Sequence, residues 1–155
     1  DLAAAELPFV IGVFGVGGPV SEYGPERQRY ARIHANLREA MAAVASLPEF
    51  AGTVTAVRTE EFWDSELAGA KAKEDQVRRL ARQAAAAERL SVDRERQLFQ
   101  RLRTDRLTPR ERRLVETGIS NLEFHYLGSA KILGQIGQAF AEAVVALPRE
   151  QRSGE

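Results

Sequence analysis

The chain has 155 residues, 44% of them hydrophobic, with 22 Lys/Arg against 22 Asp/Glu and no cysteine. That length fits one ordinary domain, or a large piece of one, with enough apolar material for a core. The charge balance advertises neither nucleic acid nor membrane, and no apolar run approaches the ~18–20 residues of a membrane span. The missing cysteines exclude disulfides, thiolate catalysis and Cys-based zinc sites. The chain opens on Asp1 rather than Met and shows no signal-peptide pattern, which reads as a cut from something longer.

Phe9 to Phe14 is a short, β-branched and aromatic run without alternation, the pattern of a strand buried on both faces in a parallel sheet. Gly15-Val-Gly-Gly-Pro19 follows as a flexible turn at the carboxyl end of that strand, the edge where open α/β sheets build sites. As a phosphate loop it fails: there is no G-x-G-x-x-G register and no Lys after the glycines. From Glu26 to Leu47 the period turns helical, with Tyr30, Ile33, Leu37, Met41 and Val44 on one apolar face and Pro48 as the stop. His34, beside that face, reads as structural or solvated.

Residues 53–59 form a second strand, so that 1–64 make a βαβ unit of the parallel kind. The strand empties into Glu60-Glu-Phe-Trp-Asp64. An aromatic pair between carboxylates suits a ligand or the orientation of a base. Equally, Phe62 and Trp63 cover a core and Asp64 caps the next helix, and a cap and a site residue can coincide.

Residues 65–117 are almost entirely helix-forming, a helical insertion. Leu67, Ala70, Val77, Leu80 and Ala84 predict one stripe; Leu98, Phe99 and Leu102 predict another behind Ser91 as N-cap. Thr108-Pro-Arg-Glu111 predicts a capping box with Pro at the first helical position. Residues 71–117 carry 14 Lys/Arg and 8 Asp/Glu, net +6. Arg and Glu are interleaved there without an aromatic platform, which favours a solvated helical face over a nucleic-acid surface.

Gly118, Ser120 and Asn121 open a polar, turn-prone run that leads to His125 and then to a helix start at Gly128/Ser129. Ile132, Ile136, Phe140 and Val144 place one apolar face on that last helix, within a segment spanning 118–147; the tail 148–155 reads as loose. An imidazole on a loop ahead of a core helix is a candidate proton carrier near neutrality. A metal site is disfavoured, because only His34 and His125 exist and they lack ligand spacing. Glu60, Glu61, Asp64 and Glu123 supply carboxylates for a glycosidase, but nothing selects a pair. None of the serines sits on a sharp strand-to-helix turn, so a serine hydrolase would take its nucleophile from outside this chain.

Three blocks carry a resemblance: Leu7-Pro-Phe-Val-Ile-Gly-Val-Phe-Gly-Val-Gly-Gly-Pro19; Leu47-Pro-Glu-Phe with Val57-Arg-Thr-Glu-Glu-Phe-Trp-Asp64; and Ser120-Asn-Leu-Glu-Phe-His-Tyr-Leu-Gly-Ser-Ala130. Over essentially its whole length, and most loosely in 70–117, the chain resembles the C-terminal part of the sialate O-acetylesterase-like carbohydrate esterases of the SGNH hydrolase superfamily. The resemblance implies an α/β chain forming the C-terminal part of a flavodoxin-like three-layer α/β/α domain with a helical insertion, and removal of O-acetyl groups from sugars. It casts His125 as the general base, with Ala130 as the small residue that opens the last helix. It places the serine nucleophile and the oxyanion donors in an N-terminal half of the same domain. Superfamily members often carry Asp three residues before the histidine; here that position is Leu122, and the orienting role falls to Asp64 or is vacant. The implied partners are an acetylated carbohydrate and the N-terminal half, with no cofactor, nucleic acid or membrane, and the implied location is secreted or periplasmic. A non-catalytic helical partner-binding module and a degenerate esterase homologue stand as alternatives.

Overall fold

The computed structural model describes residues 7–147, and the tail predicted over 148–155 lies outside them. The order is β1 (Phe9–Val13), α1 (Gln28–Ala43), β2 (Val54–Arg58), α2 (Ser65–Glu88), α3 (Val92–Arg106), α4 (Pro109–Gly118) and α5 (Ala130–Ala146), with short 3₁₀ turns between. The described chain is thus mixed α/β: mostly helical, with one two-stranded sheet. β1 and β2 pair in parallel, in register from Phe9 opposite Val54 to Val13 opposite Arg58. The described residues divide into two compact units, 7–63 with 130–147 and 64–129.

In the first unit the sheet packs against α1 and α5. Gly12 sits on the α5 side, where an added Cβ would stand 2.8 Å from Cζ of Phe140, so the ring takes the room a side chain would need. Val13 and Ile132 are wholly buried. Two expectations change here. Phe9 is 59% exposed, so β1 is not covered along its length; a two-stranded sheet has only two strands and two helices with which to cover it. The stripe of α1 does not face the core either. Tyr30, Ile33 and Leu37 are exposed, as is Val44 in the turn just after the helix; Met41 is half-buried, and the buried residue of this helix is Arg38.

The second unit is built on α2. Asp64 caps it, accepting a hydrogen bond from the Leu67 amide at 2.9 Å, as the sequence predicts. Leu67, Ala70, Val77, Ala81 and Ala85 are its buried stripe; Leu80 and Ala84 are only half-buried, because the register follows 3.6 residues per turn and moves one position on. Glu74 falls inside this apolar stripe and is buried, held by Arg103 of α3 at 2.5 Å. α2 ends at Arg89 in a left-handed conformation (φ 51°), and α3 folds back against it. Ser91 occupies the N-cap position of α3 without a side-chain capping bond. The Thr108–Glu111 capping box forms in full, both bonds present and Pro109 in the first turn.

Candidate functional site

His125 lies in the turn Glu123–Gly128 between α4 and α5, and its backbone is unusual. Tyr126 (φ 51°) and Leu127 (φ 60°) are consecutive non-glycine residues in the left-handed region, followed by Gly128 at φ 60°. Each such residue costs on the order of 1–3 kcal/mol and persists only where its surroundings over-determine it. The surroundings are explicit. The Leu127 carbonyl accepts from the amides of both Ser120 and Asn121, each at 3.0 Å. The Leu122 carbonyl accepts from His125 N and Leu127 N, each at 3.1 Å. Ser120 Oγ donates to the Gly128 carbonyl at 2.8 Å, and Asn121 Oδ1 accepts from the Leu122 amide at 2.8 Å. The Leu127 side chain is buried. The backbone on both sides of His125 is therefore pinned.

The side chain is not. His125 is exposed, its ring tilted 52° against Phe124 with centroids 4.3 Å apart, and among the described residues its imidazole makes no hydrogen bond. Leu122 and Phe124 beside it are exposed apolar groups, at 57% and 62%. Asp64, expected as the orienting acid, holds the start of α2 through Oδ1 and makes no hydrogen bond or ion pair with His125. An open cleft of about 430 Å³ adjoins the base of this loop, lined by Lys71, Glu74, Val115, Ile119 and the segment Ser120–Leu122.

At the carboxyl ends of the strands the two exits interlock. An added Cβ at Gly15 would overlap the Glu60 amide and the Thr59 backbone, and one at Gly18, itself at φ 75°, would meet the Trp63 ring at 2.7 Å. Thr59 Oγ1 donates to the Val13 carbonyl at 2.6 Å. Arg38, reaching up from α1, donates Nε to the Phe14 carbonyl at 2.7 Å and Nη2 to Tyr23 Oη at 3.3 Å. Tyr23 Oη lies 2.8 Å from Nδ1 of His34, whose ring stacks on Tyr30 at 5.8 Å. His34 is thus structural, with its pKa lowered by burial and then by the charges of Arg38 and Arg27. Glu60 is buried; Arg58 reaches its Oε1 at 3.5 Å, while its Oε2 has no hydrogen-bond partner among the described residues. Glu61 is exposed.

Arg38 and the left-handed pair Tyr126–Leu127 escape sequence reasoning. Arg38 lies among the polar positions of α1, and neither Tyr nor Leu signals a positive φ. Among the described residues no group of three or more His, Asp or Glu side chains is placed to hold a metal ion, and no helix is long and apolar enough to cross a membrane. Comparison with protein-family models, with curated proteins and with solved structures finds no significant match.

Proposed function

We propose that this chain is the back half of a serine-dependent carbohydrate O-acetylesterase of the SGNH type, and that His125 is its general base. The observation that carries the reading is His125 itself: an exposed imidazole without a hydrogen-bond partner among the described residues, on a backbone pinned on both sides, directly ahead of α5. A base that must take a proton from one group and deliver it to another needs that combination of a fixed anchor and a free ring. The parallel strand–helix–strand arrangement and the interlocked loops at its carboxyl edge agree with the sequence resemblance that suggests this chemistry.

In this reading the N-terminal half supplies a serine and the oxyanion donors. His125 removes the hydroxyl proton as the serine oxygen bonds to the acetyl carbonyl carbon. The imidazolium then protonates the sugar oxygen as the ester C–O bond breaks, leaving an acetyl-serine. Water, deprotonated by the same imidazole, releases acetate and restores the serine. Asp64 orients the imidazole only if the complete domain brings it there; otherwise that role is unfilled. The place of action that goes with this reading is outside the cytoplasm.

One observation also suits a partner-binding module: α1 and the turn after it leave Tyr30, Ile33, Leu37 and Val44 uncovered. An N-terminal half and a separate partner protein are both suitable covers. Acetate release from O-acetylated saccharides separates the readings. The protein made from the complete reading frame around this chain releases acetate catalytically, and residues 1–155 alone do not. Turnover by the isolated chain, or none by the complete protein, overturns the proposal.

A further inference from the structure

We infer that Ser120 and Asn121 are positioning residues for His125, clamping shut the strained turn that presents its imidazole. This rests on the reading of His125 as the base. Two L-residues in succession, Tyr126 and Leu127, hold left-handed backbone where a relaxed chain would not. Their conformation sets the direction in which the chain leaves His125, so whatever holds it also fixes the point on the backbone from which the imidazole extends.

The hold comes from the other end of the loop. Ser120 N and Asn121 N converge on the Leu127 carbonyl, each at 3.0 Å, and Ser120 Oγ takes the next carbonyl, that of Gly128, at 2.8 Å. Asn121 Oδ1 accepts from the Leu122 amide at 2.8 Å, which fixes the turn whose carbonyl then receives His125 N and Leu127 N. Contact is close: an added Cβ on Gly128 would meet Asn121 Cβ and Asn121 N, each at 2.8 Å, as well as Ser120 Oγ. Gly128 therefore has two reasons to be glycine, its φ of 60° and the absence of room. The result is a closed ring of backbone from 120 to 128 with His125 at its tip. The hydrogen bonds of both clamp side chains run to backbone atoms, those of Gly128 and Leu122, so each acts through the backbone.

The test uses Ser120→Ala and Asn121→Ala, with Ser120→Thr as the variant that keeps the hydroxyl. In the 155-residue chain, backbone order parameters over 122–128 and the ring-current shift of Phe124 on the His125 ring protons report the clamp without any appeal to catalysis. In the complete protein, steady-state kinetics on an aryl acetate report its consequence. Ser120→Ala is expected to lower order at 124–127 and to cut kcat at least tenfold with KM within twofold, at an unchanged denaturation midpoint. Ser120→Thr is expected to restore both. Both variants keep the two backbone amides on the Leu127 carbonyl, so unchanged loop order in both overturns the role of the Ser120 and Asn121 side chains in the clamp; lost order with unchanged kcat overturns the positioning role. A wild-type protein without esterase activity sinks the functional reading, and the loop measurements then decide the clamp by themselves.

Discussion

Replacing Glu74 by Ala tests how the second unit is held together. Glu74 interrupts the apolar stripe of α2 between Ala70 and Val77, and its side chain is only 9% exposed. Arg103, 11% exposed, binds it through Nε at 2.5 Å and reaches Glu116 through Nη1 at 2.8 Å and the Arg112 carbonyl through Nη2 at 3.4 Å. Burial opposes charge on Arg103, but the hydrogen bonds it donates to Glu116 and Glu74, with their charges, together raise its pKa. Removing one member of a buried pair leaves the other uncompensated, at ~3–5 kcal/mol. Arg103 keeps the largely solvated Glu116, which points to the lower end, about 3 kcal/mol. Urea denaturation of the 155-residue chain, followed by circular dichroism, reads this as a lower midpoint at unchanged slope. The double variant Glu74→Leu/Arg103→Met removes both charges and refills the volume, and is expected within about 1 kcal/mol of wild type. A loss below about 1 kcal/mol for Glu74→Ala, or a double variant as weak as the single one, refutes the argument.

Gly15→Ala drives a methyl into the Glu60 amide, with no flexible side chain to give way, and is expected to cost about 2–4 kcal/mol by the same assay; Gly69→Ala, in open space on α2, is expected to be neutral or slightly stabilising. A pH titration has two windows. His34 has a lowered pKa, so the unfolded chain takes that proton first; its contribution holds above the ordinary value of 6.5 and fades as pH falls below it, which His34→Phe should remove from the stability profile. Glu111 is held at about 2 against an ordinary 4.5 by Lys73, then by the Thr108 amide and hydroxyl, so its contribution stands above pH 4.5 and is lost on acidification towards 2. A profile flat from pH 7 to 3 contradicts both.

What the sequence made legible were the features that local chemistry decides. The two strands, the Asp64 cap, the Pro109 start and the Thr108–Glu111 box each follow from a few adjacent residues, and each forms where the pattern puts it. The burial of α1 was not legible. Periodicity identifies an apolar stripe but not what covers it, and here Ile33 and Leu37 face outward while Arg38 is drawn under the β1 exit by the carbonyl of Phe14. His125 was readable as a candidate from its place ahead of a helix. The conformation that presents it was not, because the positive φ values at Tyr126 and Leu127 are imposed by hydrogen bonds from residues five to seven positions away. The relation of Asp64 to His125 likewise depends on tertiary structure, which spacing does not encode.

The most direct measurement is turnover of an O-acetylated sugar by the complete protein carrying His125→Ala. Because the imidazole is exposed and makes no hydrogen bond to a described residue, its removal should leave the denaturation midpoint unchanged. Loss of the general base should lower kcat by roughly 10³-fold or more. That combination supports the assignment. A His125→Ala protein that turns over at the wild-type rate contradicts it, whatever the rest of the domain supplies.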